Sequence, residues 1–175
     1  MPPARRRCRP AKRRAARRPG VTVDVHSFDG PRDSLRFLFR VAEDSADEID
    51  RYLFAGEIIV AVDEGALIGY LQLLDAQADG IAELKSMAVI ATHRRSGVGR
   101  ALVEEAVRRS RSRGASQLVV ATAAADTGNL RFYQRLHFRM LRIERDAFGP
   151  GAGYAEGTVI DGIPLTDRVW LERQL

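Results

Sequence analysis

A glycine-bearing segment at residues 94–102, which reads RRSGVGRAL, constrains the fold of this chain more than any other feature. An apolar helical pattern follows, runs from about Val98 to Arg113 and is expected to end at Gly114. Gly97 and Gly99 therefore stand at the N-terminus of a helix, where several backbone N–H groups have no intrahelical acceptor. Because the helix dipole adds about half a positive charge there, the segment predicts an anion-binding site.

The arginines around these glycines favour a pyrophosphate as the anion. Arg94, Arg95 and Arg100 supply full positive charges, and glycine lets the backbone approach a phosphate closely. A P-loop does not fit, because no Gly-Lys-Ser/Thr follows at the required spacing. A dinucleotide-binding fold does not fit either, because Leu102 stands where a third glycine is needed and no acidic residue ends the next strand. The alternative is a helix start whose arginines are only solvated.

Residues 21–175 predict a single α/β domain with a mixed sheet. Three strand-like runs precede the glycine segment and are separated by short turns, which is typical of an antiparallel meander. The predicted order is βααβββαβαββ, with strands near residues 21–25, 57–63, 66–74, 81–89, 117–122, 138–143 and 163–171, and helices near residues 35–42, 49–53, 98–113 and 129–136.

The positive charge of the chain is concentrated at its start. Residues 1–20 hold nine of the 28 Lys and Arg and no acidic residue, whereas residues 21–175 are mildly acidic. The first 20 residues also contain no aliphatic side chain larger than alanine after Met1, so they predict a disordered, arginine-rich tail. We expect contact with nucleic acid, if any, only through residues 1–20.

Cysteine and histidine usage excludes several other classes of protein. Cys8 is the single cysteine, and His26, His93 and His137 show no metal-ligand spacing, so we expect neither a disulfide framework nor a metal site. The sequence after residue 20 has no run of 18 apolar residues that would span a membrane. A reducing, cytoplasmic location fits this composition best.

Three segments together resemble a known family. The strand ELKSMAV at residues 83–89, the pattern Arg94-x-x-Gly97-x-Gly99 and the stretch NLRFYQRLHF at residues 129–138 closely resemble the GNAT superfamily of acetyl-CoA-dependent N-acetyltransferases. The resemblance implies the GNAT fold, an α/β fold with a mixed central sheet flanked by helices, over nearly all of residues 21–175. It also implies acetyl-CoA as co-substrate, an amine as acceptor and no metal, and it is compatible with a homodimer.

The resemblance assigns expected roles to individual residues. The pantetheine arm would pair with the strand through Met87, Ala88 and Val89, and the N–H near Met87 would stabilise the oxyanion of the tetrahedral intermediate. Asn129 would contact the cofactor arm, and Tyr133 would protonate the departing thiolate. The pyrophosphate would lie on the loop and first helical turn formed by Arg94, Arg95, Gly97, Val98, Gly99, Arg100 and Ala101.

Glu83 is the candidate general base, since an aliphatic ammonium with a pKa of about 10 must lose a proton before it attacks. Its even spacing of four from Met87 predicts that both side chains leave one face of the sheet. The alternative for Glu83 is a surface carboxylate paired with Lys85. The alternative for Tyr133 is an ordinary residue of an amphipathic helix.

One position departs from the family pattern. His137 stands before Phe138, where the family usually has a glycine in left-handed conformation, which leaves open how the helix that carries Tyr133 ends. The acceptor is expected near residues 35–56 and 146–158. The first range holds five carboxylates that either attract a polycation or form a solvated helix face or cap, namely Glu43, Asp44, Asp47, Glu48 and Asp50.

The sequence therefore predicts an N-acetyltransferase that moves an acetyl group directly from acetyl-CoA to a primary amine of a small molecule or peptide within a ternary complex. Two other interpretations stay open at this point. One is a CoA-binding regulatory domain without turnover, and the other is a nucleic-acid-associated protein that acts through its arginine-rich tail.

Overall fold

The computed structural model describes residues 23–43, 45–76 and 79–175. The predicted tail and Asp44 of the acidic run lie outside these ranges. The described strands are β1 Asp24–Ser27, β2 Glu57–Asp63, β3 Ala66–Leu74, β4 Ile81–Val89, β5 Gln117–Ala123, β6 Arg139–Glu144, β7 Val159–Ile160, β8 Ile163–Pro164 and β9 Arg168–Gln174, and the α-helices are α1 Arg36–Ala42, α2 Ala46–Tyr52, α3 Val98–Ser112 and α4 Thr127–Arg135.

Within these ranges, seven strands form one mixed sheet in the order β1-β2-β3-β4-β5-β9-β6, and β7 pairs with β8 as a separate hairpin. Strands β2 to β4 form the predicted antiparallel meander, and β1 adds to it as an antiparallel partner of β2. The pair β4 and β5 is parallel, with α3 as its crossover, and the pairs on the far side are antiparallel. The predicted α/β class with a mixed sheet is confirmed.

Helices cover both faces of the sheet. Leu71 of β3 belongs to a buried cluster that contains Leu102 and Val103 of α3. Its neighbour Tyr70 points to the opposite face, where it belongs to a second cluster with Phe39 of α1. The apolar side chains whose spacing predicted the helices therefore pack against the sheet from two sides.

The end of the domain differs from the prediction. A final strand was expected over residues 163–171, but the chain forms the β7–β8 hairpin first and β9 begins only at Arg168. Asp161 and Gly162 have φ values of 50° and 79°, which are the left-handed conformations of a two-residue type I′ turn. An Asp-Gly pair between apolar residues is a hairpin signal in the sequence, and it explains why the strand pattern is broken here.

The helix end at His137 follows the family geometry without the glycine. His137 has a φ of 66°, and the N–H of Phe138 donates to the carbonyl of Tyr133 at 3.1 Å. A left-handed non-glycine residue typically costs about 1 kcal/mol. His137 adopts the left-handed conformation despite this cost, so the helix that carries Tyr133 ends in the way that the resemblance implies.

Candidate active site

The candidate active site lies where β4 and β5 stop pairing. Their parallel ladder runs from Ile81 opposite Gln117 to Leu84 opposite Val120, although β4 continues for five residues and β5 for three. Because both strands continue after their pairing ends, they diverge and leave a gap in the sheet. The backbone of β4 beyond Leu84 therefore has groups on this side that need other partners.

The hydrogen-bond pattern identifies which backbone groups face the gap. The N–H of Ile90 donates to the carbonyl of Ile68 at 2.9 Å, so this N–H points towards β3. Alternation along the strand then directs the N–H of Ala88 to β3 and the N–H groups of Met87 and Val89 to the gap. The Met87 N–H thus occupies the side of β4 on which the resemblance requires it.

A bulge at Lys85 changes the side-chain pattern of β4. Its neighbours Leu84 and Ser86 pair with two adjacent residues of β3, which leaves Lys85 as an extra residue. The extra residue reverses the alternation, so the side chains of Glu83 and Met87 lie on opposite faces of the sheet. The prediction that their even spacing places both on one face was wrong, because that spacing assumes a regular strand.

A cavity of about 430 Å³ opens at the gap. It is lined from both layers, and it brings together four predicted site residues, Glu83, Met87, Asn129 and Tyr133. Several further lining residues were not singled out as site residues from the sequence. They include Tyr52, Ser86, Asp126, Phe148, Arg168 and Trp170.

Tyr133 is held by packing on α4. Asp126 caps this helix by accepting the N–H of Asn129 at 2.8 Å, which fixes both residues relative to the gap. The Tyr133 ring makes edge contacts with Phe132 and Phe138, with centroids 5.1 and 5.6 Å away. Burial raises the pKa of Tyr133 well above its ordinary value, and the Asp126 charge adds to this effect. The phenol is therefore protonated at neutral pH, and Tyr133 lines the same cavity as Glu83 and Met87.

Glu83 faces the cavity as a partly buried carboxylate. Its side chain is 26% exposed, and its Oε1 lies 3.6 Å from the Nζ of Lys85. The pairing with Lys85 that the sequence left as an alternative is therefore present. It does not remove Glu83 from the cavity, and Lys85 also lies over the ring of Tyr52, 5.6 Å from its centroid.

The start of α3 has the open helix N-terminus on which the predicted anion site depends. Gly97 is its N-cap with a φ of 102°, and the first helical bond runs from the N–H of Ala101 to the carbonyl of Gly97 at 3.0 Å. The N–H groups of Val98, Gly99 and Arg100 precede that bond and lie at the open helix end. The side chain of Val98 is buried, so only its backbone is available to a ligand.

Gly99 has a packing role that the sequence did not show. A Cβ at this position would lie 3.3 Å from Cζ of Phe132, so the absence of a side chain lets α3 approach α4 closely. The two glycines therefore have different structural roles. Gly97 adopts a left-handed backbone conformation, and Gly99 allows the two helices to pack closely.

The three loop arginines differ in their contacts. Arg94 donates from Nε to the carbonyl of Val89 at 3.1 Å, which ties the loop to the end of β4. Arg100 pairs with Glu104 along α3 at 3.3 Å, and Arg95 is exposed with a φ of 61°. Arg95 and Arg100 lie within two residues of a loop glycine, and Arg94 lies three residues before Gly97, so all three add positive charge to this loop.

The acidic run is mostly a helix cap and a solvated face. Ser45 caps α2 by accepting the N–H of Glu48 at 3.3 Å. Glu48 pairs with Arg51, and Asp50 pairs with Arg36 at 2.5 Å. This confirms the alternative of a cap and solvated face for most of the run.

Glu43 differs from the other described carboxylates of the run in its hydrogen-bond partner, although Glu48 also lines the cavity. Glu43 lines the cavity and accepts the hydroxyl of Tyr154 at 3.1 Å on both oxygens. Burial raises the pKa of Tyr154, and the charge of Glu43 raises it further. The two residues are 111 positions apart, so no local sequence pattern indicated this contact.

No group of three or more His, Cys, Asp or Glu side chains is arranged to hold a metal ion among the described residues. None of the described helices is long and apolar enough to cross a membrane.

Comparison with known proteins places the chain in a family. Residues 29–138 match the model of the acetyltransferase (GNAT) family. An uncharacterized N-acetyltransferase of Bacillus subtilis, YvbK, is 30% identical over 139 residues, which are 79% of this chain and 88% of that protein.

Solved structures agree with this match. A Bacillus subtilis acetyltransferase in complex with CoA has a TM-score of 0.79 and 28% identity, and the match covers 88% of this chain and 99% of that chain. A GNAT family acetyltransferase from Elizabethkingia anophelis with acetyl-CoA bound also has a TM-score of 0.79, with 27% identity over 87% of this chain and 98% of that chain. The family match and the shared fold show that the chain belongs to the GNAT family and is an acetyltransferase.

Proposed function

We propose that this chain transfers the acetyl group of acetyl-CoA to a primary amine of a small molecule or peptide by direct attack within a ternary complex. One observation carries the proposal. A single cavity contains the open backbone edge of β4 at Met87, the protonated phenol of Tyr133 and the carboxylate of Glu83. A thioester and an amine bound there together would meet between these three groups.

The binding of acetyl-CoA is supported by the two backbone features of the gap. The free N–H groups at the start of α3 suit a pyrophosphate, and the unpaired edge of β4 beyond Leu84 suits the amides of a pantetheine arm. The relatives with CoA and acetyl-CoA bound support the same donor for this chain. In this arrangement Asn129, which lines the cavity at the start of α4, would contact the arm.

Direct transfer is favoured over a covalent acyl-enzyme. Ser86 is the hydroxyl on β4 that lines the cavity, and its Oγ lies 2.5 Å from the hydroxyl of Tyr70. Burial raises the pKa of Tyr70, so this partner does not act as a base towards Ser86 at neutral pH. A serine without a base is a weak nucleophile, whereas an amine deprotonated by Glu83 is a strong one.

In this mechanism, three groups of the chain transfer protons or stabilise the developing negative charge. Glu83 accepts a proton from the acceptor ammonium, directly or through water, and the free amine attacks the thioester carbonyl. The N–H of Met87 donates to the developing oxyanion. When the carbon–sulfur bond breaks, Tyr133 donates its proton to the thiolate and regains one from solvent or from the new amide nitrogen. The products are an N-acetylated amine and CoA with a free thiol.

A thiol-release assay tests the proposal. The protein is incubated with acetyl-CoA and a panel of neutral, basic and acidic amines, in parallel with propionyl-CoA and succinyl-CoA. We expect amine-dependent release of free thiol that matches the N-acetylated product. Calorimetry that shows CoA binding, together with no thiol release from any amine, would instead identify a CoA-binding domain without turnover.

A further inference from the structure

The charges that line the cavity show a preference for one kind of acceptor. Two cations line it, and each already has an anionic partner. Lys85 pairs with Glu83 at 3.6 Å, and Arg168 contacts Glu144 at 3.3 Å and lies over the ring of Phe148. The lining cations are therefore largely neutralised before any substrate binds.

The lining carboxylates are not all neutralised in the same way. Glu83 and Glu48 each pair with a basic side chain, and Asp126 caps α4. Glu43, like Asp126, accepts from neutral donors, which for Glu43 are the hydroxyl of Tyr154 and the N–H of Ser45 at 3.0 Å. Among the described residues, no Lys or Arg nitrogen lies within 4.0 Å of the Glu43 carboxylate.

The surroundings of Glu43 are aromatic. Tyr154 holds the carboxylate and packs edge-on against Phe148 at a centroid distance of 5.1 Å, and Tyr52 lines the same cavity from α2. Ring faces accommodate methylene groups and attract an ammonium. An anion without a cationic partner, set among aromatic rings, is suited to an alkylammonium group.

We propose that the acceptor is an aliphatic diamine or polyamine. Its distal ammonium binds the Glu43 carboxylate, its methylene chain lies along the rings of Tyr52 and Tyr154, and its reacting amine lies at Glu83. The inference rests on the proposed function, because it names the substrate class of the same cavity. It assigns Glu43 as a specificity-determining residue that takes no part in proton transfer.

The test compares α,ω-diaminoalkanes of increasing length with n-alkylamines of the same length in the thiol-release assay. At low salt we expect kcat/KM to favour the diamine by about tenfold at an optimal length, as for a partly desolvated charge pair. The advantage should decrease as salt is raised, because screening weakens the ammonium–carboxylate attraction.

The variant Glu43→Gln keeps an oxygen that accepts the Tyr154 hydroxyl but removes the charge. We expect it to abolish most of the diamine advantage through a higher KM for the diamine. Asp47→Asn is the matched control, because Asp47 belongs to the same acidic run but does not line the cavity. The control should preserve the ratio of diamine to monoamine.

The outcomes separate the two proposals. Equal kcat/KM for diamines and monoamines, or a diamine advantage that Glu43→Gln leaves intact, overturns this inference while the acetyl transfer itself stands. A preference for amines that carry a carboxylate also overturns it and assigns recognition to Arg168. Absence of thiol release with every amine contradicts the proposed function.

Discussion

The two sides of the cavity are built from different parts of the chain. The proposed cofactor side, called the cofactor side below, consists mainly of backbone groups within residues 85–101, the unpaired edge of β4 and the open start of α3. The proposed acceptor side, called the acceptor side below, consists of side chains from distant segments, such as Glu43 and Tyr154. Backbone groups are the same in every protein, whereas side chains vary. A fixed donor site and a changeable acceptor site can therefore coexist in one fold.

The largest expected effect tests whether a cofactor-side residue acts only in the chemical step. Tyr133→Phe removes the hydroxyl and keeps the ring contacts with Phe132 and Phe138. If Tyr133 is the general acid, kcat should fall by about 10²- to 10⁴-fold while the acetyl-CoA dissociation constant barely moves. Steady-state kinetics and calorimetry on the same preparation measure the two quantities.

The pH profile provides the control for Tyr133. Because burial raises the pKa of this phenol, it stays protonated through pH 10, and wild-type kcat should show no alkaline loss from this group in that range. A Tyr133→Phe variant with nearly full kcat would mean that water or another residue protonates the thiolate. Tyr133 would then contribute to the binding of acetyl-CoA or to packing, and not to proton transfer.

The next effect concerns Glu83, which lies on the cofactor strand but faces the acceptor layer. Glu83→Gln should lower kcat/KM by about 10- to 100-fold near neutral pH, where little free amine exists. The loss should shrink as pH rises towards the pKa of the amine, since free amine then forms without a base. A uniform loss from pH 6 to 10 would show that Glu83 positions the acceptor and that the base lies elsewhere.

Gly97→Val tests the backbone construction of the cofactor side. Gly97 has a φ of 102°, so a β-branched residue strains the turn whose N–H groups would meet phosphate, and CoA affinity should fall by about tenfold or more. Gly114→Val is the matched control, because Gly114 also has a positive φ of 82° and open space at the far end of α3. Both variants should lose stability, but calorimetry should show weaker CoA binding only for Gly97→Val.

The sequence predicted the secondary structure of the proposed cofactor side better than the contacts of the proposed acceptor side, for a physical reason. Periodicity and glycine placement are local signals, so the bounds of β2, β3 and β4 and the start of α3 were predicted correctly. The bulge at Lys85 carries no local signal, because it depends on the pairing of β4 with β3. It therefore reversed the expected orientation of Glu83 relative to Met87.

The acceptor side depends on contacts between segments that no local pattern relates. The acidic run was visible in the sequence, but only the structure separates Glu43, which lines the cavity, from Asp50, which pairs with Arg36. The Asp161-Gly162 turn is different, because it does have a local hairpin signal in the sequence. The prediction of a single strand over residues 163–171 did not take that signal into account. The roles of the individual site residues stay predictions until the variants are measured.

The smallest expected effect asks whether the cofactor side depends on how α3 is anchored. Hydrogen bonds from Arg108 and Arg109 hold the mostly buried Glu105 side chain on α3, and they lower its pKa to about 2. Arg109 also pairs with Glu57 of β2, which connects the helix to the sheet. A lowered pKa means that Glu105 stabilises the fold above the pKa of the unfolded chain and loses this contribution as pH falls towards 2.

Glu105→Gln should therefore cost at most about 1 kcal/mol of unfolding free energy at pH 7, as for a partly exposed ion pair. Urea unfolding should show the difference from wild type shrinking as the pH falls from about 4.5 towards 2, since the wild-type carboxylate becomes protonated over that range. The CoA dissociation constant at pH 7 should not change, because the phosphate-facing N–H groups lie two turns away at the start of α3. A stability difference that is constant with pH would show that the Glu105 charge is not what holds the helix. Weaker CoA binding would show that the cofactor side needs these side-chain anchors as well as its backbone groups.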